Sequence, residues 1–252
     1  MATSRTAIVV GGAGGIGEAV CHRLAGDGYR VVVADLDGDA AAEVRTRLPG
    51  EDHAADRLDV TDEADVDAFF DRCESLSPPA ILINIAGGPL VDPADPPTLT
   101  TMTLREWNAT LALNLTGTFL CLRKFAALRK AKSLPDMRAV SFSSVTGRVP
   151  GGPTGIAYGT SKAAIIGFTR HAAADVAAIG MTVNSIAPGA VGTPEFYRIM
   201  SEAAVASVGG LVPLGRVGST AEIAGAVAYL VSAEAGYITG TTIDVNGGYF
   251  MY

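Results

Sequence analysis

Tyr158 and Lys162 stand four residues apart in Tyr158-Gly-Thr-Ser-Lys162. On a helix that spacing puts both side chains on one face, a turn apart. An ammonium close to a phenol favours the phenolate and draws its pKa down from roughly 10 toward working pH. A phenol so tuned can exchange a proton with an alcohol or a ketone oxygen. Such pairs also occur by chance on many helices, so the reading depends on what surrounds this one. Upstream lies Ser141-Phe142-Ser143-Ser144, at the end of an apolar run. A serine hydroxyl there can polarise a carbonyl oxygen as charge develops on it. Neighbours on a strand face opposite sides, so only one of Ser143 and Ser144 can reach a cleft. Ser144 is favoured and Ser143 is the alternate.

A second constellation lies near the N-terminus. Gly11-Gly-Ala-Gly-Gly-Ile16-Gly17 follows the apolar run Ala7 to Val10 and precedes a helical pattern. Its glycines, Gly11, Gly15 and Gly17, have the spacing G-x-x-x-G-x-G. A turn of this kind lets the backbone approach a pyrophosphate at the positive end of a helix. The next expected strand, Tyr29 to Ala34, ends at Asp35, which lies 18 residues past Gly17. A carboxylate there can accept from an adenosine ribose 2′-OH, and its charge opposes a 2′-phosphate. Neither Gly14 nor Leu36 offers a cation. NAD(H) is therefore expected over NADP(H).

These residues need a scaffold, and the chain alternates strand and helix patterns that predict βαβ units and a parallel sheet. Helices are expected over 40–48, 63–76, 104–130, 158–179, 195–208 and 220–231, the third opened by a capping box at Thr103-Leu-Arg-Glu106. Further strands are expected at 80–83, 139–143, 182–186 and 241–245, with a short one ending at Asp59-Val60. Residues 88–100 form the longest irregular stretch, either a solvated connection or a wall of the substrate cleft. No repeat or linker divides the 252 residues. The expected fold is α/β: a single Rossmann-type domain over 1–252, with a doubly wound parallel sheet of about seven strands and helices on both faces.

Composition narrows the function classes. With 19 basic against 26 acidic residues and no Lys/Arg cluster, neither nucleic acid nor an anionic membrane is expected as a partner. Cys21, Cys73 and Cys121 have no metal-like or CxxC spacing, which fits reduced thiols. No metal is expected. The sequence shows no leader-like segment and no unbroken apolar run of about 18 residues, so a cytoplasmic protein is expected. His22, His53 and His171 are scattered and fit no triad. Gly-x-Ser-x-Gly is absent, which disfavours an α/β-hydrolase.

Together these motifs resemble the short-chain dehydrogenase/reductase family, in its branch of about 250 residues. Val10 to Gly17 matches T-G-x-x-x-G-x-G, Asn84-Ile85-Ala86-Gly87 matches N-N-A-G, and Tyr158 to Lys162 matches Y-x-x-x-K. Pro188-Gly189, Thr239-Gly240 and Asn246-Gly247-Gly248 fall where the family has such residues. Val10 and Ile85 depart from a threonine and an asparagine that brace the fold. Ser144 stands one residue further from the tyrosine than the family usually places its serine. An insertion in the Gly- and Pro-rich stretch 146–157 would absorb the difference.

The resemblance implies roles. Tyr158 would be the general acid/base, Lys162 would lower its pKa and hold the nicotinamide ribose, and Ser144 would polarise the carbonyl. Asn114 would hold a water that relays protons from Lys162. Ile16 would lie along the pyrophosphate, with Leu36 beside the ribose contact of Asp35. Asp59 and Val60 would line the adenine pocket, and Asn84, Ala86 and Gly87 would flank the adenosine ribose. Val191 and Thr193, after Pro188 and Gly189, would reach the nicotinamide amide and a phosphate. A homotetramer is implied as well. The expected activity is NAD(H)-dependent interconversion of a secondary alcohol and a ketone. A 3-oxoacyl-thioester reductase of fatty-acid type and a non-catalytic dinucleotide sensor are the alternatives. The substrate is expected to be a small, largely apolar alcohol or ketone. Phe196, Tyr197, Met200, Leu211 and Val212 would form a lid; Arg148 or Arg198 could read a carboxylate, though each reads better as a solvated surface arginine.

Overall fold

A computed structural model describes residues 5–92, 94–150 and 153–252. Short β-branched runs form the strands. β1 (Thr6–Val10), β4 (Pro79–Asn84), β5 (Arg138–Phe142) and β6 (Thr182–Pro188) are buried throughout. Continuous burial of this kind is what a parallel sheet covered on both faces requires. With β2 (Arg30–Asp35), β3 (Ala54–Arg57) and β9 (Thr242–Val245) they make one parallel sheet, ordered β3-β2-β1-β4-β5-β6-β9. The order reverses between β1 and β4, and ligands of open α/β sheets sit outside strand C-termini at such a switch point. β7 (Val191–Gly192) and β8 (Gly218–Ser219) form a separate two-stranded pairing that the sequence pattern did not indicate.

Helices cover both faces. α1 (Gly15–Gly26), α2 (Gly38–Arg47) and α9 (Thr220–Val231) enclose one apolar core, built around Val9, Val33, Ile81, Leu24 and Val227. α3 (Glu63–Leu76), α5 (Gly117–Ala131) and α6 (Ile156–Val176) enclose the other, around Ile8, Leu82, Phe69, Phe70 and Phe125. The three cysteines are buried, free thiols whose pKa values are raised chiefly by burial, Cys73 and Cys121 to about 12. His53 is held by its neighbours: its Nδ1 accepts from the Val31 amide at 3.0 Å.

Three elements differ from the sequence reading. β3 stops at Arg57, because the Asp59 amide turns away to the Asp65 carboxylate at 2.8 Å. The expected helix 195–208 is two, α7 (Pro194–Ile199) and α8 (Glu202–Gly210), separated where Ser201 caps the Ala204 amide. The long helix after the capping box is α4 (Leu104–Leu111), a π-helical turn Ala112–Thr116 and α5. Taken together, Leu104–Ala131 is long and apolar enough to cross a membrane by length and composition. Here it packs against α3 and α6.

Candidate active site

The glycine turn is shaped by contacts that exclude any side chain. A Cβ on Gly17 would lie 2.0 Å from the Gly11 carbonyl oxygen, and one on Gly11 (φ 79°) would lie 2.6 Å from the Ala86 nitrogen. The turn is thereby closed against β4, and the first turn of α1 behind Gly14 carries no side-chain cap. Uncapped first-turn amides form a ready anion site. Asp35 holds the turn in place: its Oδ2 accepts from the Ala13 amide at 3.0 Å and its Oδ1 from the Asp37 amide at 3.2 Å.

A cleft of about 710 Å³ opens over this turn at the switch point. Gly11, Gly15, Ile16, Gly17, Asp35, Leu36, Asp59, Val60, Ala86, Gly87 and Thr193 all line it. Asn84 lies beneath, nearly fully buried, with its Oδ1 unpartnered. Pro188 and Gly189 are committed instead to the β6–β9 pairing, where the Gly189 amide donates to Val245 at 3.0 Å. Val191 is buried in the β7–β8 pairing. The sequence reading missed Leu58, Thr61, Ala109 and Leu113, which also line the cleft, as do Ile85 of the Asn84–Gly87 motif and Leu90 of the irregular stretch read as a possible cleft wall. Small or apolar residues within helical and loop patterns carried no signal of that role. The side-chain-free cradle, the uncapped helix end and the Asp35 carboxylate on one wall fit a dinucleotide.

The second constellation adjoins the cleft. Lys162 is 97% buried, and its Nζ donates to the Phe142 carbonyl at 2.9 Å. A Cβ on Gly87 would meet Asn114 Oδ1 at 2.5 Å and Lys162 Nζ at 3.2 Å, so these groups meet at the cleft floor. The π-helical turn carries Asn114, whose amide closes a ring with Gly88: Oδ1 accepts from its N–H and Nδ2 donates to its carbonyl, both at 3.0 Å. The extra backbone residue of a π turn re-aims a side chain in this way. The Asn114 carbonyl accepts from the Thr118 hydroxyl at 2.9 Å.

The two serines diverge as strand alternation demands. Ser143 Oγ turns inward and donates to the Lys162 carbonyl at 2.7 Å. Ser144 Oγ accepts from Thr146 N and Oγ1 at 3.2 and 3.0 Å, and its hydroxyl is near enough to Tyr158 to favour the phenolate. Part of the stretch where an insertion was expected, residues 151–152, lies outside the described residues.

The electrostatics differ from the expected ammonium–phenol coupling. Burial raises the Tyr158 pKa, opposed only by its hydrogen bond with Ser144. Lys162 Nζ lies 5.4 Å from the centroid of the Tyr158 ring, over its face. Burial alone lowers Lys162 to about 8. Desolvation disfavours the charged form of each group, and neither shift draws on the other group's charge.

Of the two arginines, Arg148 departs from the surface reading and Arg198 keeps it. The Arg148 side chain is 7% exposed and paired with Asp244, so it does not face a substrate as a free cation. Arg198 is largely exposed and paired with Glu195. Among the lid candidates, Val212 is buried against Gly247 and Leu211 points to solvent. Among the described residues, no cluster of His, Cys, Asp or Glu could hold a metal.

The fold is that of an α/β protein of Rossmann type. A family model described as enoyl-(acyl carrier protein) reductase matches residues 11–250. The chain belongs to the short-chain dehydrogenase/reductase family and is an oxidoreductase by that membership. It is 34% identical to (3R)-3-hydroxyacyl-CoA dehydrogenase of Rattus norvegicus, over 98% of this chain and 97% of that one. It is also 34% identical to 3-oxoacyl-(acyl-carrier-protein) reductase FabG of Escherichia coli K12, over 98% of each chain. The crystal structure of gox2181 superposes with a TM-score of 0.89 at 29% identity, covering 98% of this chain and 95% of the other.

Proposed function

We propose that this protein is an NAD(H)-dependent oxidoreductase that interconverts a secondary alcohol and a ketone, with 3-hydroxyacyl and 3-oxoacyl thioesters as its substrate class. The observation that carries the reading is the grouping of Ser144, Tyr158 and buried Lys162 beside a cleft whose far wall bears Asp35. The relatives named for hydroxyacyl and oxoacyl substrates support the thioester over a simple alcohol. Asp35 supports NAD(H): its carboxylate can take a ribose 2′-OH, and Asp37 and Asp39 beside it add charge against a phosphate, while Arg57, the cation at the same place, is paired with Asp65.

Gly11, Gly15, Ile16 and Gly17 would cradle the pyrophosphate, Asp35 and Leu36 the adenosine ribose, and Asp59 and Val60 the adenine. Ala86 and Gly87, with Asn84 buried beneath them, would flank the ribose, and Thr193 would close over the phosphates. Pro188, Gly189 and Val191 shape the backbone leading to it. A bound nicotinamide supplies the hydride to the carbonyl carbon, or accepts it in the reverse direction. Tyr158, protonated because burial holds its pKa up, donates its proton to the ketone oxygen. Ser144 donates a hydrogen bond to the same oxygen as charge develops there. Lys162 holds the nicotinamide ribose. With a pKa of about 8 it can also return a proton to Tyr158, and would regain one from solvent through a water held at Asn114. Each reduction consumes one ketone, one NADH and one proton and yields alcohol and NAD⁺. The protein acts in the cytoplasm as a homotetramer. Exposed Leu104 and Phe119 along α4–α5, and Tyr249, Met251 and Tyr252 at the chain end, support such packing.

The test is NADH and NADPH consumption with acetoacetyl thioesters, longer 3-oxoacyl thioesters and the matching free ketones. Turnover should be fastest with NADH and a thioester. Equal rates with free ketones would remove the thioester assignment, and tight NADH binding without turnover on any of them would favour a sensor.

A further inference from the structure

Four residues beyond Ser144, Arg148 is engaged on every side. Its Nε and Nη2 donate to the two carboxylate oxygens of Asp244, each at 3.2 Å, and Nη2 also reaches the Thr242 carbonyl at 3.5 Å. Nη1 donates to the Tyr252 hydroxyl, and the guanidinium lies 5.7 and 4.9 Å from the ring centroids of Phe250 and Tyr252. All these partners belong to β9 or the chain end.

Between Ser144 and Arg148 runs one tight turn. The Gly147 amide donates to the Ser144 carbonyl, and the Arg148 and Val149 amides donate to the Val145 carbonyl, each at 2.9 Å. The opposite side of the turn rests on α6: a Cβ on Gly147 would come within 2.7 Å of the Lys162 carbonyl carbon. The Ser144 turn is thus held from both sides, by the backbone that carries Lys162 and by a planar fork anchored on β9. A fork of two parallel bonds fixes orientation as well as distance, which a lysine's single point charge does not.

We propose that the Arg148–Asp244 fork is a positioning device that keeps the Ser144 hydroxyl aligned with Tyr158 for the reacting oxygen. The inference rests on the reading of Ser144 as an oxyanion contact. Arg148 touches neither substrate nor cofactor; it acts through the turn. A small displacement of a positioned group is enough to slow chemistry, because near-attack geometry is lost before binding is.

A double-mutant cycle tests this in the full-length protein. Arg148→Met, Arg148→Lys and Asp244→Asn are each made alone and on a Ser144→Ala background, and kcat and KM are measured with NADH and an acetoacetyl thioester. Arg148→Met should lower kcat about tenfold or more while KM for NADH stays within about twofold. On the Ser144→Ala background the same change should lower kcat by less than about twofold, because the group it positions is gone. Arg148→Lys should restore little, and Asp244→Asn should reproduce the loss if Arg148→Met does not fold. Equal fold-losses on both backgrounds, as a purely structural role gives, would overturn the proposal, as would unchanged kcat in all three variants. Full turnover in Ser144→Ala alone would overturn the oxyanion reading and this inference with it.

Discussion

Replacing Lys162 with methionine should stabilise the folded protein at neutral pH while ending its turnover. The ammonium is buried, and among the described residues no carboxylate pairs with it and only the Phe142 carbonyl accepts from it. Burial lowers its pKa from 10.5 to about 8. Below pH 8 the lysine is protonated in both folded and unfolded chains, so the folded state bears the whole cost, an upper limit of about 3 kcal/mol at ~1.4 kcal/mol per pKa unit. Between pH 8 and 10.5 the unfolded chain binds more protons than the folded one, so the wild type gains stability as pH rises, and above 10.5 the cost is gone. Methionine removes the charge but leaves the Phe142 carbonyl unpartnered, which gives back about 1–3 kcal/mol. The variant should therefore be more stable than wild type by up to about 2 kcal/mol at pH 7, a rise in Tm of up to roughly 8 °C for a chain of this size. At pH 10 it should be no more stable than wild type. Thermal unfolding without nucleotide, followed by far-UV circular dichroism at both pH values, reads the difference. A variant less stable at pH 7, or an advantage unchanged at pH 10, would refute the unpaired-charge account of Lys162.

Two further substitutions probe the cleft. Asp35→Ala should lower the NADH-over-NADPH preference in kcat/KM by about tenfold or more, the worth of a hydrogen bond to a charged group; an unchanged ratio removes Asp35 from 2′-OH recognition. Ser143→Ala loses an internal bond to the Lys162 carbonyl and should cost about 1 kcal/mol of stability in urea unfolding, with kcat little changed. Ser144→Ala should do the reverse, lowering kcat by about a hundredfold. The opposite pattern would exchange the two serines.

The sheet and its helices were legible because their signals are local. Glycine spacing, β-branched runs and the Thr103–Glu106 capping box each act within a few residues, and the capping box forms as read. The cleft-lining glycines and Asp35 followed from the same local logic. What stayed hidden depends on partners far along the chain. Asn114 sits in a π turn because its amide closes on Gly88, and nothing in Leu111 to Thr116 departs from an ordinary helical pattern. Arg148 reads as a surface arginine until β9 brings Asp244 against it, 96 residues later. The helix pair spacing placed Tyr158 and Lys162 correctly on one face, but the balance between burial and attraction depends on how deeply α6 is covered. The break between α7 and α8 did carry a local sign, the capping serine Ser201.

The central claim is that Tyr158 delivers the proton that completes carbonyl reduction. Its most direct test is Tyr158→Phe, assayed for steady-state turnover of NADH with a 3-oxoacyl thioester and for NADH binding by fluorescence. The account predicts a loss in kcat of at least about a hundredfold, with the NADH dissociation constant within about twofold of wild type. Turnover that survives the loss of this hydroxyl would contradict it.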